Sequence, residues 1–288
     1  MSNHPKAYND LPWNFEAFRS FINFEVIQQA SSVLCSFEGK ELFNSRRLVE
    51  EFQNLLTKRT GIDWIPDRNV SEDILFNVEG NVFRNKARVF TSFYLVDPEC
   101  LKNREPLVLT PFCRALGYGY IGKFEFYKTI IARFSYPHPA YDENWKAWIG
   151  ANIRLKPFIF ILQILLSLHL KGHDNAYISI NEFANFAHSN PLHSEIENIV
   201  KEILKQRSSG ENIKRERSDK IERKIGDLFG FLCISGYTFY KKNDICLNMI
   251  DIHPKEKTYF FEKREGFDKY NSINKLITDT LEELNGQK

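Results

Sequence analysis

Two short stretches carry the residue types that read nucleic acid. The first holds Arg84, Asn85, Lys86 and Arg88, and the second holds Arg217, Ser218, Lys220, Arg223 and Lys224. Arginine can meet guanine through two parallel hydrogen bonds, and asparagine can do the same with adenine. Lysine and serine suit phosphate oxygens equally well. One good base contact is worth about 1–3 kcal/mol, so a few of them discriminate between sequences. The plainer reading is a solvated helix face. Glu216, Asp219 and Glu222 lie among the second set of cations and can pair with them at i,i+4.

Other chemistry finds little support. His169 and His173 have a zinc-binding spacing, but Gly172 ends the helix between them and only Asp174 lies nearby, so no metal is expected. His138, between Pro137 and Pro139, reads as part of a rigid turn. Asp142, Glu143 and Lys146 cluster without a strand to carry them. No Ser/His/Asp or Cys/His arrangement emerges from spacing, so no catalytic residue is assigned. The stretch GYGYIGK, from Gly117 to Lys123, contains neither GxGxxG nor GxxxxGK[ST]. No phosphate loop, and no cofactor, is expected.

The two basic stretches need helices to present them. In the second, Ile221, Ile225, Leu228 and Leu232 form one apolar helical stripe, with the basic residues on the other faces. Gly236 stops that helix. Two β-prone runs follow, Tyr237–Tyr240 and Ile245–Asn248, joined by the polar turn Lys241-Lys242-Asn243-Asp244. A basic amphipathic helix that runs into a hairpin is how a winged helix-turn-helix ends. The first stretch repeats the pattern. Phe83, Ala87, Phe90 and Tyr94 have the same spacing, Ser92 joins the basic residues outside the stripe, and the runs Leu95–Val96 and Leu107–Thr110 follow. Any two amphipathic helices share such a stripe, but a hairpin after each suggests a duplication.

Supporting elements read as follows. Residues 1–12 are a polar, mobile lead-in. A helical pattern starts at Phe15 and reaches Leu34. Ser45 caps a helix Arg46–Thr60 that Gly61 stops, and 61–70 is a loop. Thr110-Pro111 opens a further helix with proline in its first turn. Another helix covers Phe124–Phe134, and the loop SYPHPAYDENW follows. The apolar helix Lys156–Leu170 is too short for a membrane span, which needs about 20 residues, and reads as buried. Ser179 caps a short helix Asn181–His188 with Phe183 and Phe186 inward. A helix follows from Leu192 to Lys205, then a polar loop over 207–216. In the tail, Thr258–Phe261 alternates as a strand, and Ile273, Leu276, Ile277, Leu281 and Leu284 stripe a last helix that packs on the body.

Composition narrows the class. Of 288 residues, 43% are hydrophobic and 26% charged, which excludes a disordered chain and allows two cores. The net charge of +2 rules out a bulk polycation, so nucleic-acid contact must come from local faces. Cys35, Cys100, Cys113, Cys233 and Cys246 are scattered and odd in number, and no signal peptide is evident. This fits a reducing, cytoplasmic setting.

The stretches ARFSYPHP (132–139), PFIFILQILLSL (157–168), ISINEFANFA (178–187) and RSDKIERKIGDLFGFLCISG (217–236) resemble the winged-helix DNA-recognition region of type IIS restriction endonucleases of the FokI and AlwI types. ARVFTSFYLVD (87–97) with LVLTPFCRALG (107–117) is similar to the recognition-helix and wing unit of such regions. Those enzymes carry a nuclease core reading PD…(D/E)xK. Here Pro66-Asp67 has no usable ExK or DxK after it, Glu222-Arg223-Lys224 falls on a helix, and Glu38-Gly39-Lys40 lacks a preceding acidic strand residue. The resemblance therefore implies a non-catalytic subunit that reads double-stranded DNA in a restriction or antiviral defence system, with a separate nuclease or ATPase chain as partner. The alternative is a winged-helix adaptor that docks on such a partner without reading DNA. The expected fold is mainly α with short β-hairpin wings, as tandem winged helix-turn-helix domains. Residues 1–140 hold a helical region and the first domain, 150–253 the second with a helical insertion, and 254–288 a strand and helix.

Overall fold

Caps visible in the sequence set the first helices. Ser45 accepts a hydrogen bond from the Leu48 amide at 3.3 Å, and Gly61 closes the same helix in the left-handed region at φ 69°. The computed structural model describes residues 11–15, 22–42, 45–64, 88–172, 176–210, 219–241 and 244–247, with Leu276 and Thr280. Contacts divide the chain into two units. The first is Asn14–Ile130 with Pro137–Lys146, and the second is Met1–Trp13, Ile131–Tyr136 and Ala147–Lys288.

In the first unit, α1 (Phe24–Phe37) starts at an Asn23 cap, not at Phe15 as the periodicity suggested; Phe15 lies in no helix. Helix α2 (Arg46–Thr60) packs on α1 through the edge-on pair Phe37–Phe52. Short helices α3 (Arg88–Ser92), α4 (Pro98–Lys102) and α5 (Pro111–Gly117) follow. Thr110 caps α5 through the Cys113 amide, with Pro111 in the first turn as read. Helices α6 (Lys123–Arg133) and α7 (Asp142–Gly150) follow, and each runs on from this unit into residues of the second. The loop expected over SYPHPAYDENW therefore ends at Asp142. Phe126 gathers Phe24, Phe93 and Phe112 at ring-centroid distances of 5.8–6.0 Å, and Phe15 joins through Phe93.

The first expected hairpin does not form as a ladder among the described residues. Val96 and Leu109 make one isolated antiparallel bridge, and the polar stretch between the runs folds into α4. The local reason is Asp97, which caps α4 through the Glu99 amide and starts a helix within the polar connection Asp97–Pro106.

The second unit is built around α8 (Pro157–Leu170), whose residues Phe158–Leu162 are fully enclosed. Strand β1 (Tyr177–Ser179) leads into α9 (Ile180–Glu182), which continues as a π-helical turn through Phe183–Ala187. Phe183 points inward as read, whereas Phe186 is half-buried. Helix α10 (Ile196–Ser209) extends past the expected loop start at Arg207. Helix α11 (Asp219–Ile234) and strands β2 (Thr238–Lys241) and β3 (Asp244–Leu247) follow. The three strands form an antiparallel sheet in the order β1-β3-β2, with Ile245 opposite both Ile178 and Tyr240.

Trp13 is the aromatic hub of this unit. It meets Tyr136, Trp148, Phe160 and Phe183, and stacks on His188 at 5.1 Å. The Trp148 indole donates to the Pro12 carbonyl at 3.1 Å, and Leu11 is buried. The end of the expected mobile lead-in is thus core, tied there by the Trp148 hydrogen bond. In the tail, Leu276 and Thr280 are both buried, and the buried Lys156 ammonium donates to the Thr280 carbonyl at 3.5 Å. No helix among the described residues is long and apolar enough to cross a membrane.

Candidate nucleic-acid interface

Helix α11 has the expected stripe, with Ile225, Leu228 and Leu232 fully buried and Ile221 half-buried. Phe229 and Phe231 are buried as well, against Phe183 and Phe158 respectively. From Leu228 to Leu232 the helix is therefore enclosed all round. Its earlier turns, and Ile234 at its end, are left exposed. In those earlier turns Arg223 is exposed and Lys224 is half-buried. Lys220 lies on α11 but its side chain falls outside the described residues, as do Arg217 and Ser218.

The hairpin is tied to this end of the helix. The Tyr240 hydroxyl donates to the Gly226 carbonyl at 3.4 Å, one turn from Arg223. Thr238 and Cys233 meet at 3.3 Å through hydroxyl and thiol, and Gly236 supplies the left-handed turn at φ 83°. Strand β2 is a sheet edge, and Phe239, Tyr240 and Lys241 are all exposed. Arg223 thus lies one turn from the point where the Tyr240 ring is tied to the helix.

A buried ion pair holds the other side of the sheet. Arg207 donates to both Glu182 carboxylate oxygens, at 2.7 and 3.1 Å, and to the Tyr177 carbonyl at 2.7 Å. Its guanidinium lies 3.7 Å from the centroid of the Tyr177 ring. Glu182 closes a capping box with Ser179, accepting from the Ser179 amide while the Ser179 hydroxyl accepts from the Glu182 amide. One carboxylate thus joins β1, α9 and α10. The Ser-x-x-Glu spacing was visible in the sequence; the arginine that completes it was not.

The first-half candidates fare differently. Arg84, Asn85 and Lys86 lie outside the described residues. Arg88 is half-buried, with its guanidinium 5.5 Å from the Tyr141 ring centroid. Ser92, expected on the polar face, is buried and hydrogen-bonded to the Tyr141 hydroxyl at 3.0 Å. Val89, Phe90 and Phe93 are buried too, so this turn packs into a core. Tyr94 then ends α3 at φ 56°, a left-handed conformation that is costly for a side chain with Cβ. The Thr110 hydroxyl holds it by donating to the Tyr94 carbonyl at 2.6 Å, and the His138 ring lies 4.9 Å from the Tyr94 ring.

Other titratable groups have structural work. Arg114 binds the Glu38 carboxylate and holds its carboxyl below the usual range, which occupies the acid of the Glu38-Gly39-Lys40 triplet. Burial lowers His138 to about 3, and keeps the ring neutral. All five cysteines are free, and burial pushes the Cys113 thiol well above its ordinary value. Among the described residues no group of three His, Cys, Asp or Glu side chains gathers; His173 lies outside them.

Comparison with known proteins gives a family. No curated protein matches the chain. A crystal structure of the BpuJ1 endonuclease binding domain in complex with pyrene- and phenanthrene-modified DNA is similar in fold. Its TM-score is 0.58 at 16% identity, and the match covers 87% of this chain and 78% of that one. The family pattern "Restriction endonuclease BpuJI - N terminal" matches residues 122–288, which include α8 to β3. That span is more than half of the chain, and the chain belongs to the family of the BpuJI restriction endonuclease N-terminal region.

Proposed function

We propose that this chain binds double-stranded DNA as the recognition part of a restriction system. Membership of the BpuJI N-terminal family over 122–288 carries the reading. The structural neighbour is itself a complex of an endonuclease binding domain with DNA, which supports the same ligand. In this proposal α8, β1, α9, α11 and the β2–β3 hairpin act as a winged helix. Arg223, Lys224 and Lys220 on α11, with Arg217 and Ser218 just before it, contact the groove and its phosphates. Arg84, Asn85, Lys86 and Arg88 form a second contact set, Arg88 with its guanidinium beside the Tyr141 ring. Nuclease chemistry lies on another chain or segment.

The test is anisotropy titration of labelled duplexes at low and moderate salt. Affinity should fall as salt rises, because bound phosphates release counterions. Arg223→Ala should weaken binding by about tenfold, the loss of one charged contact. Absence of duplex binding at micromolar protein in low salt ends this reading. So does an Arg223→Ala variant with unchanged affinity. A second reading, a docking adaptor for a nuclease or ATPase, draws on the exposed apolar side chains of Ile234 and Phe239. It predicts complex formation with that partner and no salt-sensitive DNA binding.

A further inference from the structure

Between α5 and α6 the backbone is pinned while its aromatic side chains stand in water. Gly119 takes φ +79°, its amide donates to the Leu116 carbonyl at 3.0 Å, and the Tyr120 amide donates to the Ala115 carbonyl at 2.8 Å. This double closure is the Schellman motif. In that motif the residue after the glycine commonly packs back on the last helical turn. Tyr120 does not, being 82% exposed, and Tyr118 is 63% exposed. A second anchor lies one residue earlier. A Cβ on Gly117 would come within 2.8 Å of the Ser31 carbonyl oxygen, so α5 meets the α1 backbone directly at the base of the loop.

Rigidity without burial needs another reason. Rings held in water by a fixed backbone contribute little to folding, yet they bind with little loss of freedom. The two tyrosine rings are 6.2 Å apart at 52°, so neither covers the other's face. Phe124, exposed by 46%, continues the patch onto α6. The exposed charges beside it are Lys123, Glu125 and Lys128, and the Glu125 carboxylate lies back against Gly122. Two cations are left to meet an anionic ligand.

We propose that residues 118–128 form a further DNA contact, in which Tyr118 and Tyr120 stack on unstacked bases of a bound duplex while Lys123 and Lys128 meet the flanking phosphates. Every base has a π-face, so this contact tolerates sequence and differs from groove reading by arginine and asparagine. It rests on the DNA-binding reading above and adds local unstacking to it.

The experiment uses the full chain and duplexes carrying 2-aminopurine at successive positions, whose emission rises when the base unstacks. Wild type should bind and raise the emission at one or two positions. Tyr118→Ala with Tyr120→Ala should weaken binding by about tenfold or more and remove the rise. Tyr118→Phe with Tyr120→Phe should keep both, since stacking uses the ring. Equal melting temperatures for the three proteins verify that exposed rings were altered and not the fold. Unchanged affinity with an intact rise in the alanine variant overturns the loop contact and leaves DNA binding standing. A variant that loses only self-association in sedimentation also overturns it and assigns the patch to protein contact. Absence of duplex binding by wild type sinks both proposals together.

Discussion

Arg207 grips Glu182 through two nitrogens and at the same time covers the face of Tyr177. Both partners of the ion pair are largely buried. Removing one leaves a charge in a poor environment, which costs about 3–5 kcal/mol in comparable pairs. Arg207→Ala should therefore destabilise the second unit by about 3 kcal/mol in urea unfolding. Arg207→Lys should recover part of this, since lysine supplies charge but not the fork. A change under about 0.5 kcal/mol, the range of ordinary surface substitutions, would show that the pair does not hold β1, α9 and α10 together.

Trp13 should be as important as any residue of the apolar helix α8. It contacts five aromatic rings and is fully buried. Trp13→Ala should cost about 3–5 kcal/mol, the usual range for emptying so large a buried volume. Removing residues 1–13 should do the same. Unfolding followed by tryptophan fluorescence would test it, and near-native stability in the truncated protein would contradict the role.

Two histidines, His138 buried and His193 half-buried, set an acid limit. Burial lowers His138 to about 3 and His193 to about 4, from 6.5 for a free side chain. The unfolded chain then binds more protons than the folded one below that value. Their contribution is complete above about pH 6.5 and is lost as pH falls toward 4 and then 3. Against wild type, His138→Gln with His193→Gln should flatten stability between about pH 6.5 and pH 4. Parallel pH curves for the two proteins would refute the assignment.

Two glycines should respond oppositely to alanine. At Gly117 the new Cβ would meet the Ser31 carbonyl oxygen at 2.8 Å and the Cys35 sulfur at 2.9 Å. Gly117→Ala should destabilise by about 1–3 kcal/mol, as overpacking does. At Gly226, inside α11, nothing lies within 4 Å. Gly226→Ala should stabilise by up to about 1 kcal/mol through helix propensity. Chemical denaturation of both variants is sufficient, and a shared sign would be the wrong outcome.

The second half of the chain was the more legible. Ser179, Ser45, Gly61 and Thr110-Pro111 act through neighbours a few residues away, so their caps were visible in the sequence. The hairpin after α11 was found within a residue at each strand, and the restriction-endonuclease resemblance was found with it. Strand β1 was missed because three residues show no period, and it exists only through pairing with β3. Arg207 and Trp13 were missed for a related reason: their partners lie far along the chain. In the first half, Phe90 and Tyr94 were read as part of one apolar stripe, with Ser92 on the polar remainder of the helix. The depth of burial at Val89, Ser92 and Phe93 comes from tertiary packing, which a stripe does not report.

The placement of Trp13 has a consequence for synthesis. It leaves the ribosome well before Phe160, Phe183 and His188, which enclose it. A bare indole must therefore wait until the chain has been made past His188, while residues 14–130 can already begin to condense. Nascent chains halted before Phe183 should be captured by chaperones through the segment around Trp13, and chains halted past α11 should escape.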